Sequence, residues 1–555
     1  MKLKKLCILA LSVTLAATIF SGCASNKESK ETTDKKTKDN IVYAINTAPS
    51  GVFNPLMNDT RYDVNVNSII YLPLLKLDDK GNFVTALAEK HEVSKDQKTI
   101  TYKLNPKAKW HDGKEITADD VVFTLTTLAN AKYAGGELGD VVSKIKGVEE
   151  YNKGTAKSVS GLKAVDKNTV QIELKEVYAP ALIQISAVQP VPKHIWEKQP
   201  VEKWAEAKDL LSKPVGSGAY KLKEYKEGEF VKFVAVDDFF GTKAKTKNFT
   251  LKVTNPNTLQ AELKNHSVDI ANIKDIKKAD IDSVKKEGYE VTSYPDFMFQ
   301  YMGFNLRKPI FQDKKVRQAF MYAIDRNAMV DKLIEGRGEL VNTALLPTSW
   351  AYPKEGLNDY KYNVEKAKTL MKEAGWTEKD GSLVNNKGEK FDVTLKVPTG
   401  LKAREDSAVI IQDALKKIGV NVKIETMEFP TLMTQVVKNH EFDLYLMGNT
   451  LSADPDPKAF WSSKAVSDTK GEVGYNIVGY KNAEVDKLID EGLSTIDRTK
   501  RAKTYAKFGK IINEDVPEAF FYVQNNDIAY NKNLKNFKPS TFSEFADIEN
   551  WEIQE

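Results

Sequence analysis

The residues best placed to do chemistry in this chain are acids set in a stiff frame. Asp454-Pro455-Asp456-Pro457 puts two carboxylates two positions apart, each followed by a proline that fixes the backbone. A carboxylate held rigidly can face an ammonium or another cation, although the same four residues would also make a solvated acidic turn. The other reactive residue types are scattered. Ser143-Lys144-Ile145-Lys146, Ser160-Gly161-Leu162-Lys163 and Ser283-Val284-Lys285-Lys286 fit a Ser-x-x-Lys nucleophile pattern, but no companion motif accompanies them. Gly216-Ser217-Gly218 lacks the spacing of a nucleophile elbow. His91, His111, His194, His266 and His440 show no i, i+4 pairing, and with two cysteines they supply no His/Cys metal site. No G-x-x-x-x-G-K-[ST] loop is present, so the chain is not expected to be a P-loop ATPase of the transporter type. Neither catalysis, a metal nor a cofactor is expected.

The acids are positioned by an alternation of strands and helices. With 555 residues, 41% hydrophobic and 29% charged, the chain is long enough for several globular domains. Its net charge of +5 is spread over both signs, which leaves no footprint for nucleic acid. Residues 41–45 form an apolar run, and 99–104 alternate as a half-buried strand does. Thr117-Ala118-Asp119-Asp120 has the form of a capping box ahead of an apolar helix face at Val121, Val122, Leu125 and Leu128. After Asp313, the residues Val316, Ala319, Phe320, Ala323 and Ile324 make a helical stripe suited to core packing. Between 391 and 447 the pattern reads β-α-β-α-β, with Gly419 stopping a helix after Lys416 and Lys417. That alternation predicts a parallel α/β sheet, whose ligands gather beyond the carboxyl ends of its strands. The loop beyond the third strand, 448–457, carries the two acids.

The N-terminus reads as an address. Lys2, Lys4 and Lys5 precede an apolar run over 6–20, too short for a membrane span but suited to a secretory signal. Phe20-Ser21-Gly22-Cys23 resembles the lipobox of bacterial lipoproteins, with Phe20 where Leu is usual. The resemblance implies a signal peptide over 1–22 and acylation of Cys23, so that lipid holds the protein at the membrane. Residues 24–40 are polar and read as a disordered tether with a root-mean-square reach of roughly 23 Å.

Several blocks together resemble the extracytoplasmic solute-binding proteins of peptide ABC importers, the oligopeptide- and dipeptide-binding family (solute-binding protein family 5). The first runs from Ala88 and Asp96 through Thr99-Ile100-Thr101-Tyr102-Lys103-Leu104 to Lys109-Trp110-His111-Asp112-Gly113-Lys114 and Thr117-Ala118-Asp119-Asp120-Val121. It departs from the family at Asn105-Pro106-Lys107, where a basic residue and a glycine are usual. Pro214-Val215-Gly216-Ser217-Gly218-Ala219-Tyr220 resembles the hinge-region motif. Phe304-Asn305, Val316-Arg317-Gln318-Ala319 and Ala323-Ile324-Asp325-Arg326 resemble the block that opens the last large domain, and Asp454-Pro455-Asp456-Pro457 the ligand loop. The resemblance implies an α/β, two-lobed periplasmic-binding-protein-like fold of the large three-domain type, with mixed sheets and a hinge. Domain I would comprise 41–71, 214–304 and 522–555, domain II 72–213 and domain III 305–521.

The implied function is non-catalytic: a monomeric, lipid-anchored receptor on the outer face of the cytoplasmic membrane that closes on a peptide. It would deliver that peptide to an ABC permease served by separate ATPase subunits. The same scaffold carrying a dipeptide, a metal chelate, haem, a sugar or a signalling peptide remains open, as does a secreted lipoprotein hydrolase. A receptor for varied peptides must hold what they share, the backbone and the termini. By resemblance, Asp454 would take the ligand's α-ammonium, with Asp456 as the alternative and Ser452 and Ala453 offering backbone groups. Asp59-Thr60-Arg61-Tyr62 would pair with the ligand backbone from the other lobe, unless it is an ordinary polar loop. Tyr522 would line a pocket or else sit in the core. Replacing Cys23 by Ser should abolish acyl labelling and alter processing; acyl labelling at the wild-type level in that variant would contradict the lipoprotein assignment.

Overall fold

The computed structural model describes residues 37–58, 60–135, 139–255 and 257–555. The signal segment, Cys23, residues 24–36 of the tether and Asp59 lie outside the described residues. Among the described residues, no helix is long and apolar enough to cross a membrane.

Two long strands, Tyr289–Phe304 and Glu518–Asn531, pair antiparallel from Tyr289↔Asn531 to Gly303↔Glu518. They form the middle of an eleven-stranded mixed sheet. On one side follow Leu444–Thr450, Asp392–Pro398 and Asn421–Met427; on the other, Ile270–Asn272, Asn40–Ile45, Asn248–Val253, Phe230–Ala235 and Tyr220–Lys226. The short strand Gly338–Leu340 also pairs with Glu518–Asn531. Asp392–Pro398 is parallel to both of its neighbours, as the β-α-β-α-β pattern requires. Helix Lys402–Lys416 makes the first crossover and Gly419, at φ +80°, ends it. Leu395, Val397, Ile411, Leu415 and Leu446 close the core between helix and sheet.

Residues 88–173 build a separate four-stranded sheet, in the order Ala88–Val93, Thr99–Leu104, Thr169–Glu173, Leu162–Asp166. Ile100, Tyr102 and Leu104 point into its core, so the alternation read from the sequence sets the buried face. The Asp120 carboxylate accepts from the Thr117 N–H at 2.9 Å and starts helix Ala118–Leu128. Val316, Ala319, Phe320, Ala323 and Ile324 are all buried.

The motif residues that identify this fold are largely joints. Arg317 is buried and donates to the carbonyls of Phe311, Asp515 and Val516 at 2.6, 2.5 and 2.9 Å. This ties down Val516, a β-branched residue at φ +46°. Arg326 donates to the carbonyls of Val341 and Phe520, each at 3.0 Å, and of Asp359 at 2.5 Å. Burial lowers both guanidinium groups to about 10, so the carbonyl clamps offset a real desolvation cost.

Two blocks far apart in sequence meet at His111. Its Nδ1 accepts from the Gly216 N–H at 3.2 Å, and its Nε2–H donates to the Gly218 carbonyl at 3.0 Å. A side chain at Gly216 would place its first carbon 2.1 Å from the Ile70 carbonyl oxygen, which is why glycine stands there. Ser217 Oγ accepts from the Leu72 N–H at 2.9 Å and completes the joint. Only the neutral imidazole can accept and donate in this way. Burial accordingly lowers His111 to about 4. Below the ordinary value near 6.5 the unfolded chain takes up a proton that the folded protein refuses, so stability falls as pH drops from about 6.5 to about 4. That component should reach about 3 kcal/mol. Denaturant titrations across this window should show it in the wild type and not in His111→Gln, which keeps an acceptor and a donor but does not titrate.

Candidate functional site

The ladder between the two long strands shifts register twice, between Pro295 and Phe299 and between Gln300 and Tyr301. At the wider shift the proline cannot donate, and Asp296, Phe297 and Met298 form a bulge with no partner in Glu518–Asn531. Around this bulge lie two adjoining cavities of about 390 and 580 Å³, which share Tyr294, Pro295, Phe297, Ser540, Thr541 and Phe542. The larger is walled by the start of helix Arg61–Ile70 and by Thr450, Glu544 and Phe545. The smaller is walled by Trp350, Leu451 and Arg498, with Asp79 and Lys80 above it. Strand Leu444–Thr450 leads to this space, where Leu451, Ser452, Ala453 and Pro455 line the smaller cavity while Asp454 and Asp456 line neither, and the Leu451 N–H donates to the Phe297 carbonyl at 3.0 Å. The smaller cavity therefore adjoins the loop beyond the carboxyl end of a strand parallel to Asp392–Pro398.

Ser452 and Ala453 line the smaller cavity, and Thr60 and Arg61 line the larger. Thr60 is also the N-cap of its helix, with Oγ1 accepting from the Asp63 N–H at 3.1 Å. Asp63 is buried and accepts from Ser50 Oγ at 2.8 Å and the Gly51 N–H at 3.1 Å, which fixes the chain on both sides of the helix start. Arg61 faces Glu544 at 3.7 Å, and Glu544 also accepts from Tyr43. Burial works against the Arg61 charge, but Glu544 and Asp296 outweigh it and raise the group. Tyr62 donates to Asn46 Oδ1, and its ring packs against the core that holds Phe53 and Val66. Tyr522 is 2% exposed and paired in the sheet with Gln300 and Leu340, so it is an interior residue.

Both proline-braced acids are already engaged. Asp454 is 5% exposed and holds Arg501 through two bonds of 2.7 Å each, a bidentate pair. Arg501 also donates to the Gly492 carbonyl at 2.9 Å. Burial disfavours this guanidinium, yet the bonds and charge of Asp454 raise it above its ordinary value. Asp456 accepts from the Lys458 N–H at 2.9 Å and from the Tyr178 hydroxyl at 3.1 Å. Burial raises its carboxyl against those bonds, and the charge of Asp454 adds to the rise. The expectation of an open carboxylate did not anticipate Arg501, which comes from helix Arg498–Asp515. Also unforeseen were Tyr294, Phe297, Trp350 and Phe542. A proline inside a strand pattern was the one sequence signal that pointed at the bulge.

With this geometry in place, the chain can be assigned to a class. The family model for bacterial extracellular solute-binding proteins, family 5, matches residues 82–471, and the chain belongs to that family. It is 34% identical over 562 residues to the oligopeptide-binding protein AppA of Bacillus subtilis (strain 168), covering 99% of each chain. A solved structure of that protein in complex with a nonapeptide superposes with a TM-score of 0.74 at 32% identity, covering 93% of this chain and 99% of the other. The ABC transporter substrate-binding protein CtaP of Listeria monocytogenes gives a TM-score of 0.79 at 26% identity, covering 94% of this chain and 100% of the other. The fold is thus the two-lobed α/β binding-protein type that the motifs implied.

The Asp454–Arg501 pair makes a sharp prediction about stability. Asp454→Ala should leave a buried guanidinium unpaired and cost about 3–5 kcal/mol in denaturant unfolding. Replacing both partners, as Asp454→Leu with Arg501→Met, should recover most of that loss. A single-variant loss below about 1 kcal/mol would mean the pair behaves as a surface ion pair.

Proposed function

We propose that this protein is a lipid-anchored extracytoplasmic receptor that captures oligopeptides between two closing lobes and hands them to an ABC importer permease. The observation that carries this is the cleft at the strand bulge, where backbone groups at 450–453 and the capped helix start at Thr60 and Arg61 face one another across roomy cavities. An extended chain held there would be gripped by its backbone, with its side chains in open volume. Full-length similarity to an oligopeptide-binding protein supports the same ligand class. In this reading the lobes are domain I (41–71, 214–304, 522–555) with domain II (72–213), against domain III (305–521). The crossings between lobes then fall at Phe304, the end of one long strand, and between Phe521 and Tyr522, inside the other, and bending there closes the cleft. Cys23 carries the lipid, the permease and its ATPase subunits are partners, and the chain acts as a monomer without catalysis.

Asp454 is proposed as the contact for the ligand's amine. A carboxylate has about four acceptor sites and Arg501 uses two, so an ammonium can join the existing pair. Native mass spectrometry of protein purified without refolding should show co-purified peptides. Calorimetry with such a peptide should then show tighter binding than with its N-acetylated form, and small-angle scattering should show a smaller radius of gyration on saturation. Equal affinity for the two forms would move the amine contact away from Asp454. An unchanged radius, starting from an open free protein, would refute closure.

A further inference from the structure

We propose that the smaller cavity is a subsite for one large apolar or aromatic side chain of the bound peptide, with Trp350 as its specificity-determining wall and Asp454 and Arg501 as the residues that position that wall. The inference rests on the peptide-receptor reading and adds a side-chain preference to it.

The cavity measures about 390 Å³, room for the largest natural side chain. Its walls include Phe297, Leu346, Trp350, Leu451 and Phe542, and Phe297 and Phe542 meet edge to face at 5.7 Å. Asp79, Lys80 and Arg498 also reach it, but they carry both signs and so single out no charged guest. Trp350 is half-buried and lies under two guanidinium groups, those of Arg498 at 5.2 Å and Arg501 at 5.3 Å. Arg501 cannot swing, because Asp454 holds it at two points and the Gly492 carbonyl at a third. A buried ion pair thereby fixes one aromatic wall of the cavity. Opposite, the turn at Gly81 packs against Phe542, while Arg498 reaches the Gly81 carbonyl at 3.5 Å. The pocket is therefore a shaped volume with apolar walls. It opens beside Ser452 and Ala453, and a peptide lying extended along them points alternate side chains to opposite sides, one of them into the cavity.

The test uses the full-length protein and oligo-alanine peptides in which one Phe or Trp is stepped through every position, with Lys and Glu series as controls. Calorimetry should find one position where Phe or Trp binds about thirtyfold tighter than Ala, with no such gain for Lys or Glu. In Trp350→Ala, that position's Phe-to-Ala affinity ratio should collapse toward one. Leu451→Trp, which fills the cavity, should do the same and serves if Trp350→Ala fails to fold. Arg501→Lys and Asp454→Asn should lower the ratio at that position alone, which general destabilisation would not do. A scan that is flat at every position, or a ratio that survives both Trp350→Ala and Leu451→Trp, would overturn the subsite while leaving the peptide reading in place. Failure of every peptide in the scan to bind would overturn that reading and the subsite together.

Discussion

The pairing of Tyr289–Phe304 with Glu518–Asn531 is the constraint on which the rest depends. Two strands of this length hold one sheet together across what would otherwise be separate bodies. A ladder so long pairs most of its backbone groups, and its register shifts at two places, between Pro295 and Phe299 and between Gln300 and Tyr301. The wider shift starts at Pro295, which has no N–H to donate. The resulting bulge leaves Asp296, Phe297 and Met298 without partners in Glu518–Asn531, and the cavities on either side share Tyr294, Pro295 and Phe297. The shape of the cavities is therefore set by an interruption in a long ladder.

Charge burial is handled by one device used repeatedly. Arg317, and Arg326 through its two terminal nitrogens, donate to backbone carbonyls and so lock turns from distant segments. Arg501 uses a carboxylate instead, and the outcome is a neutral pair beside the cleft. A cation with several fixed partners is a rigid object, because losing any one bond leaves a desolvated donor. Such objects hold the walls around a cavity in place. His111 applies the same logic to a neutral ring, reading one N–H and one carbonyl of the Gly216–Gly218 stretch.

Much of the scaffold could be read from local pattern. The alternation at 99–104, the box at Thr117–Asp120, the stripe after Asp313 and the parallel strands over 391–447 all depend on residues within a few positions of one another. Those are the distances over which strand and helix periods impose themselves on a sequence. The position of the acidic loop at 448–457 followed from the same alternation, since a parallel strand has a defined carboxyl end. The joining motifs were recognisable as a set, although nothing local indicated that His111 would grip Gly216.

What the sequence could determine by itself was this local order, the family and the place of the loop. Tertiary structure decided where the charges and aromatic rings went. Asp454 faces Arg501 across 47 positions, and Tyr522 became an interior rung of the central ladder. Phe542 closed onto Phe297 from near the far end of the chain. Long-range partners of this kind leave no periodic trace, because a buried carboxylate selects whichever cation the packing of separate helices brings within bonding distance. The sequence names the acid; only the folded chain supplies its counter-ion.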